Sequence, residues 1–397
     1  MKVNQIYELL NDIMAEYFGA EDIKQNDLTG LIAMGETVLS DSDNTDVFLK
    51  ALVDRIGKTV VRTLDLELDF PNLYMESFEF GAILQKITVN PFASIENASW
   101  EIGDEGFEPT FSDINKASIM TRYFQKGISS FKFQTTIPDY QLESAFSSAE
   151  MMDNFLSAII TSMSDSMTIA LNDLSRTAIC NFIAEKVKAE NGVVNLLSMY
   201  NEAYPSDDTV TDYASALESP TFLRYAGKII RNTIKYMSRP SALYNVGDGS
   251  GNAVIRATAR DNMHAMLSTA FLSAYETTYL SSSFRDEYVQ LPLAQEVEYW
   301  QASGDTILDD EAMATINVIP SSDTKQGAGG TAEPVEVTGV VGLLADRQAI
   351  GIGLQKMKAG SWVNPIDHYT NISRSATIQY FNDLSENGVV FIIEPTE

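Results

Sequence analysis

The 397-residue chain has few of the residues that most often carry chemistry. Its one cysteine, Cys180, excludes a disulfide within the chain, and the apolar helical pattern around it predicts a small buried hydrophobe. Its two histidines, His264 and His368, are not flanked by other ligands at zinc-site spacing. The segment around His264 reads as a helix, where a lone histidine is typical of a structural residue. We therefore expect no metal and no cofactor.

Long apolar runs and positive charge are also scarce. No run approaches 18 apolar residues, and the N-terminal residues lack the basic-then-apolar layout of a secretory signal, so we expect a protein made in the cytoplasm without a membrane segment. The 55 acidic residues outnumber the 27 basic ones and give a net charge of −28. Such a chain repels nucleic acid and anionic membranes, so any contact with DNA is expected to be weak or local.

The glycines do not complete a nucleotide-binding motif. The stretch VVGLLADRQAIGIGLQ, 340–355, contains Gly351-Ile352-Gly353 but lacks the third glycine of a dinucleotide fingerprint and the helix that should follow. Its apolar residues, interrupted by Asp346-Arg347-Gln348, predict two short strands around a turn. The loops VGDGSGN and SSDTKQGAGGTAEP lack the Gly-Lys-Ser/Thr ending of a phosphate-binding loop, so we interpret them as surface loops.

One long helix is the clearest element that the sequence contains. Ser147 and Glu150 form a capping-box pattern, and Asn191-Gly192 is a stop signal. Between them apolar residues recur at spacings of three and four, which predicts a helix of about 60 Å. Shorter helices are predicted at 5–18, 46–57, 221–237 and around 260–275.

Extended chain is predicted on both sides of this helix. The aromatic stretch from about 64 to 138 ends in a strand with one polar face, Ser130–Gln134, and has little core of its own, which favours packing against another chain. Further strands are predicted at 253–258, 296–300 and 314–320. The C-terminal ATIQYFNDLSENGVVFIIE predicts two strands joined by the turn Ser385–Gly388.

This order of parts resembles the major capsid protein of tailed bacteriophages, which has the α+β Hong Kong 97 capsid fold. Two shorter stretches, FLKALVDRIGKTVVRTLDL (48–66) and VGLLADRQAIGIGLQ with the strand-rich C-terminus, resemble capsid proteins of small podoviruses that infect Gram-positive bacteria. The resemblance implies an N-terminal arm at 1–64, an extended loop at 65–138, and a peripheral domain with the long spine helix at 139–219. It also implies an axial domain at 220–345 and return strands at 346–397.

The resemblance implies a structural protein and not an enzyme. Hexamers and pentamers would form an icosahedral virion shell around double-stranded DNA, with portal, scaffolding, decoration or head-fibre proteins as partners. Large rings supply most interface energy, so we expect aromatic residues of the extended loop at subunit contacts. Two adjacent charged pairs are further candidates. The candidates are Phe70, Tyr74, Phe78, Phe80, Trp100, Asp54, Arg55, Asp346 and Arg347.

Two other functions fit the sequence. A cellular nanocompartment shell, similar to encapsulins, would share the fold but enclose a cargo enzyme in place of DNA. A cytoplasmic enzyme would use the glycine-rich loops or a pair of carboxylates, but no nucleophile, base and orienting group stand at a recognisable spacing. Closed shells on electron micrographs would favour the first two functions, and a small oligomer with a ligand pocket would favour the enzyme.

Overall fold

The computed structural model describes most of the chain after residue 148 and shorter pieces before it. The described residues are 10–19, 28–40, 44, 47–48, 51, 69–75, 84–90, 119–124, 128–138, 140–141, 149–206, 209–247, 253–280, 294–301, 309–320, 333–364, 366–367 and 369–395. In this part of the chain no helix is long and apolar enough to cross a membrane.

Helices and strands are both well represented. The α-helices are α1 (Leu28–Leu39), α2 (Ala149–Lys188), α3 (Leu196–Ala203), α4 (Tyr213–Glu218), α5 (Pro220–Met237), α6 (Thr269–Leu280) and α7 (Asp310–Met313). The strands are β1 (Tyr74–Met75), β2 (Leu84–Val89), β3 (Ile119–Phe124), β4 (Ile128–Pro138), β5 (Val193–Asn195), β6 (Met263–Ser268), β7 (Ala294–Val297), β8 (Ile316–Val318), β9 (Val335–Val337), β10 (Val340–Asp346), β11 (Ile350–Asn364), β12 (Tyr369–Asn382) and β13 (Gly388–Ile392). Single turns of other helix types span Met14–Phe18, Pro71–Leu73 and Arg260–Asn262.

The predicted long helix is α2, whose 40 residues correspond to about 60 Å. The three- and four-residue spacing places one apolar stripe on the buried side, as predicted. After the helix, Gly192 has a φ of 71°, a left-handed conformation that glycine adopts without strain. The buried stripe consists of Ile159, Met163, Met167, Leu171, Leu174, Ala178 and Phe182.

A four-stranded sheet has the order β1-β11-β12-β4. Strand β4 pairs with β12 in antiparallel register from Pro138↔Tyr369 to Ile128↔Gln379. Along β4 the residues from Phe131 to Thr136 alternate between half-buried and exposed, so the prediction of a strand with one wet face is confirmed. Strand β1 adds to the edge by parallel pairing of Tyr74 with Ile352.

A five-stranded sheet has the order β5-β13-β10-β6-β7 and carries an extensive hydrophobic core. Every residue of β10 and β13 is buried, which explains why these strands are almost uninterrupted apolar runs. Helices α3 to α6 pack on this sheet through Leu197, Phe222, Phe271 and their neighbours. Each of α3, α4 and α5 begins at a polar cap, namely Asn195, Asp212 and Ser219, whose side chain accepts backbone N–H groups of the first turn.

Several sequence predictions need correction. The helix predicted around 260–275 begins only at Thr269, and His264 lies in strand β6. Residues 253–258 form an isolated bridge, Ser241↔Arg256, in place of a strand. The C-terminal strands β12 and β13 exist and are joined by the predicted turn, but they belong to different sheets. The same holds for the two strands of the 340–355 stretch, and β11 is long, with 15 residues.

The chain divides into two compact units. One contains Met1–Phe80, Gly127–Ser175 and Ile352–Gln379, and includes the four-stranded sheet. The other contains Gly81–Lys126, Arg176–Gly351 and Tyr380–Glu397, and includes the five-stranded sheet. The arm, extended-loop, peripheral and axial boundaries predicted from the sequence stay predictions.

Candidate assembly surface

The structure describes four of the nine residues that the sequence predicts at subunit contacts. These four are Phe70, Tyr74, Asp346 and Arg347. The other five lie outside the described residues, and they are Phe78, Phe80, Trp100, Asp54 and Arg55. Phe70 lies shortly before β1 and Tyr74 begins it, and Asp346 and Arg347 lie in the turn at the end of β10.

Phe70 and Tyr74 pack inside their own chain. The ring of Phe70 is only 2% exposed, so it has almost no surface left for another subunit. The hydroxyl of Tyr74 donates to the carbonyl of Leu171 at 3.2 Å and shares a hydrogen bond with Ser175 Oγ at 2.9 Å. Burial raises the pKa of Tyr74, because it disfavours the phenolate. The segment before β1 is thus fixed on α2, and contact of these two residues with a neighbour stays a prediction.

Asp346 and Arg347 point to different surroundings. Asp346 is buried and closes the turn after β10: Oδ1 accepts the N–H of Gln348 at 2.9 Å, and Oδ2 accepts the hydroxyl of Thr258 at 2.7 Å. The side chain of Arg347 is exposed, while its N–H donates to the carbonyl of Asn262. Of the two, Arg347 is the residue that a neighbouring subunit can reach.

Strands β2 and β3 form a two-stranded ribbon with an apolar outer face that the sequence analysis did not single out. Val89 pairs with Ile119, and Ile87 pairs with Thr121. Ile87 and Ile119 are each 62% exposed and Val89 is 49% exposed. The alternation in LQKITVN, 84–90, was the available signal, because it places Ile87 and Val89 on one face and Lys86 and Thr88 on the other.

The opposite face of the ribbon is held by charge. Lys86 Nζ lies 2.9 Å from Asp383 Oδ2 and 2.8 Å from Glu386 Oε1, both in the turn between β12 and β13. Arg256 Nε lies 3.3 Å from the same Glu386 oxygen. Burial opposes ionisation of Asp383, but the charge of Lys86 and hydrogen bonds from Lys86 and Ser385 outweigh it and lower the pKa of Asp383. Both carboxylates are therefore buried as the partners of cations.

A second lysine lies close to this cluster. Lys186, on α2, is fully buried and donates to the carbonyl of Tyr244 at 2.8 Å. Burial lowers its pKa to about 7, and the charge of Asp383 partly opposes that shift.

The cysteine and one of the histidines, residue types that often take part in catalysis or metal binding, lie in buried or half-buried positions. Cys180 is buried and its pKa is raised to about 12, chiefly by burial, which makes the thiol unreactive. His264 is half-buried, and burial together with Arg347 lowers its pKa. Within the described ranges, no three His, Cys, Asp or Glu side chains come together in a way that fits a metal ion.

Comparison with known protein families identifies the chain. The model of the Phi29-like phage major capsid protein family matches residues 8–392. The chain belongs to this family. The sequence-based resemblance to tailed-phage capsid proteins is thereby confirmed, and the chain is a structural protein of the virion capsid that acts in a homo-oligomeric assembly.

Individual relatives agree with the family. The chain is 28% identical to the major capsid protein of Streptococcus phage Cp-1 over 128 residues, a match that spans about a third of each protein, 31% of this chain and 32% of the relative. A chain in the capsid structure of Staphylococcus phage Andhra superposes with a TM-score of 0.51 at 10% identity, covering 82% of this chain and 84% of that one.

A second solved structure supports the same fold. A chain in the structure of the head fibre and inner core protein of native bacteriophage P68 superposes with a TM-score of 0.50 at 10% identity, covering 83% of this chain and 85% of that one. At this identity the likeness concerns the fold alone. The prediction of an α+β fold of the Hong Kong 97 type is confirmed.

Proposed function

We propose that the chain assembles as hexamers and pentamers into an icosahedral head that encloses double-stranded DNA, and that it does so without catalysing a reaction. The family match over 8–392 is the observation that carries this proposal. Assembly would take place in the host cytoplasm, with portal and scaffolding proteins as partners and with decoration or head-fibre proteins on the finished head. The predicted division into arm, extended loop, peripheral and axial parts belongs to the same proposal.

The outer face of the β2–β3 ribbon is the surface that we assign to contact with a second copy of the chain. Three exposed β-branched side chains stand side by side on a ribbon that, among the described residues, consists of two strands. A two-stranded ribbon is marginal alone, and burial of such a face stabilises it. The family assembles from many copies, so a neighbouring copy is the occupant available at every position in a shell. As predicted from the sequence, further proposed contacts are Phe78, Phe80, Trp100, Asp54, Arg55 and Arg347.

Contact with the packaged DNA would be weak. The net charge of −28 opposes association with a polyanion, and a DNA-contacting face therefore has to be small and local. Shell strength would come from subunit contacts, each weak enough that a misplaced subunit can dissociate.

Electron microscopy of the purified full chain, alone and co-expressed with candidate scaffolding proteins, tests the proposal. Closed shells with five- and sixfold clusters are the expected result. Shells that package a cargo enzyme and exclude DNA would indicate a nanocompartment. A small, monodisperse oligomer under all assembly conditions would contradict the proposal.

A further inference from the structure

The two faces of the β2–β3 ribbon have different surroundings. The outer face exposes the apolar residues Ile87, Val89 and Ile119 to solvent. The inner face carries Lys86 and Thr88, whose hydroxyl is buried, and by the register it also carries Leu84, Met120, Arg122 and Phe124. The inner face therefore mixes apolar and charged residues, and the ion pairs of Lys86 are the interactions that fix where it lies.

We propose that Lys86 is the positioning residue of the ribbon: its ammonium group, held between Asp383 and Glu386, fixes the inner face on the turn 383–387 and so directs the face of Ile87, Val89 and Ile119 outward, towards a neighbouring copy of the chain. This inference rests on the proposed contact between copies and assigns the residue that prepares it. Lys86 reaches Asp383 at 2.9 Å and Glu386 at 2.8 Å, with its own side chain only 17% exposed. Charge-assisted contacts of this length are among the stronger ones that side chains make.

The turn is itself rigid, which makes it a suitable anchor. Asp383 Oδ1 accepts the Ser385 hydroxyl at 2.6 Å and the Ser385 N–H at 3.0 Å. The backbone of the turn is fixed on both sides, since Val246 donates to the carbonyl of Leu384, and Gly388 donates to the carbonyl of Tyr244. A cation that binds this turn is therefore held in one place.

The contacts of Lys86 explain why it can act as an anchor. The charged groups around it include Asp383 and Glu386 in the turn, Arg256 beside Glu386, and Lys186 on α2, and Arg122 stands opposite it in the register of β3. Without Lys86, two buried carboxylates would lose a cation that lies within 3 Å of both. Salt screens this cluster poorly because it is buried, so the anchor should persist at ionic strengths that weaken surface pairs.

Hydrogen–deuterium exchange of the full chain in its unassembled form tests the proposal. Lys86→Met removes the charge and keeps the length of the side chain. We expect amides of 84–90 and 119–124 to exchange at least about tenfold faster than in the wild type, because a released two-stranded ribbon opens readily. Shell yield should fall in parallel. Lys86→Arg should retain protection and assembly, and Lys228→Met, which removes an exposed lysine on α5, should behave as wild type.

The outcomes separate this proposal from the proposed function. Wild-type protection of the ribbon in Lys86→Met would overturn the positioning role, whether or not shells form. If Lys86→Met does not fold by circular dichroism, the double variant Lys86→Met/Glu386→Gln removes one charge of each sign and is expected to fold with the same fast-exchanging ribbon. A folded double variant with a protected ribbon would again refute the role. Failure of the wild type to form shells would contradict the proposed function and leave the exchange comparison valid.

Discussion

At the scale of single residues, Lys186 links protonation to stability. Its folded-state pKa of about 7 lies below the ordinary value of 10.5, so between these values the unfolded chain binds a proton that the folded chain does not. The contribution of this residue to the free energy of unfolding therefore rises with pH across that window and is constant below it.

The variant Lys186→Met should remove this dependence. Between about pH 7.5 and 9.5 the wild type should gain up to about 1.4 kcal/mol of stability per pH unit relative to the variant, and ionisation of tyrosine and cysteine, which both proteins share, cancels in the comparison. Denaturant unfolding at several pH values measures the two slopes. Parallel pH profiles would mean that Lys186 is charged in the folded chain.

Gly339 is a second residue at which a small change should matter. Its φ is 63°, and a Cβ built there would lie 2.0 Å from the carbonyl oxygen of Ile393, a backbone atom that cannot rotate away. We expect Gly339→Ala to lower the free energy of unfolding by about 2–4 kcal/mol. Gly360→Ala is the matched control, since the nearest atom to a Cβ at that position would be Ser373 Oγ at 3.7 Å. Equal denaturation midpoints for the two variants would contradict this account.

At the scale of elements, the β2–β3 ribbon should affect assembly more than folding. Ile87→Ser combined with Val89→Ser removes most of the apolar surface that the ribbon exposes. Because these side chains are exposed in the single chain, the free energy of unfolding of the unassembled protein, measured by thermal unfolding, should change by less than about 0.5 kcal/mol. Shell yield, measured by sedimentation and electron microscopy, should fall at least about tenfold if the face is buried between copies.

A control keeps this test specific. Ile87→Val combined with Val89→Ile preserves total apolar volume and should assemble as the wild type does. Normal shells from the serine variant would show that the ribbon face is not buried in the shell.

The elements also show what sequence patterns can and cannot specify. Helix α2 was predictable because its spacing of three and four is sustained over 40 residues. His264 was placed in a helix because β6 is buried almost throughout and runs directly into α6, so that no polar alternation separates strand from helix. Local turn signals correctly joined β12 to β13, but the sheet to which each strand belongs depends on distant partners, β4 for β12 and β5 for β13.

The candidate assembly surface was less predictable from the sequence than the helices and strands were. Aromatic content directed attention to Phe70 and Tyr74, whereas the burial of Phe70 and the contact of Tyr74 with α2 depend on tertiary packing that no local pattern contains. The ion pairs of Lys86 join residues about 300 positions apart. The exposed face of β2 was readable from its alternation, but only the structure shows which of the two faces is covered.

At the scale of the whole molecule, charge should control the rate of assembly. Subunits with a net charge of −28 repel one another over about 30 Å at 0.01 M salt and over about 8 Å at 0.15 M. We expect the initial rate of shell formation, followed by light scattering, to rise several-fold between these concentrations. A rate that falls with added salt would indicate that complementary charges at the contacts outweigh the general repulsion.

The strand order of the five-stranded sheet has a consequence for the timing of synthesis. Strand β13 lies between β5 and β10, so a strand formed near residue 390 completes the pairing of one formed near residue 194. At typical rates of translation the ribosome needs about 10–40 s to cover that distance. During this interval β5 has no partner strand in the sheet, and β10, which is made only shortly before β13, has only β6 to pair with. The five-stranded sheet therefore cannot form completely before β13 has been synthesised, so a nascent chain that lacks β13 is expected to be a poor substrate for shell assembly.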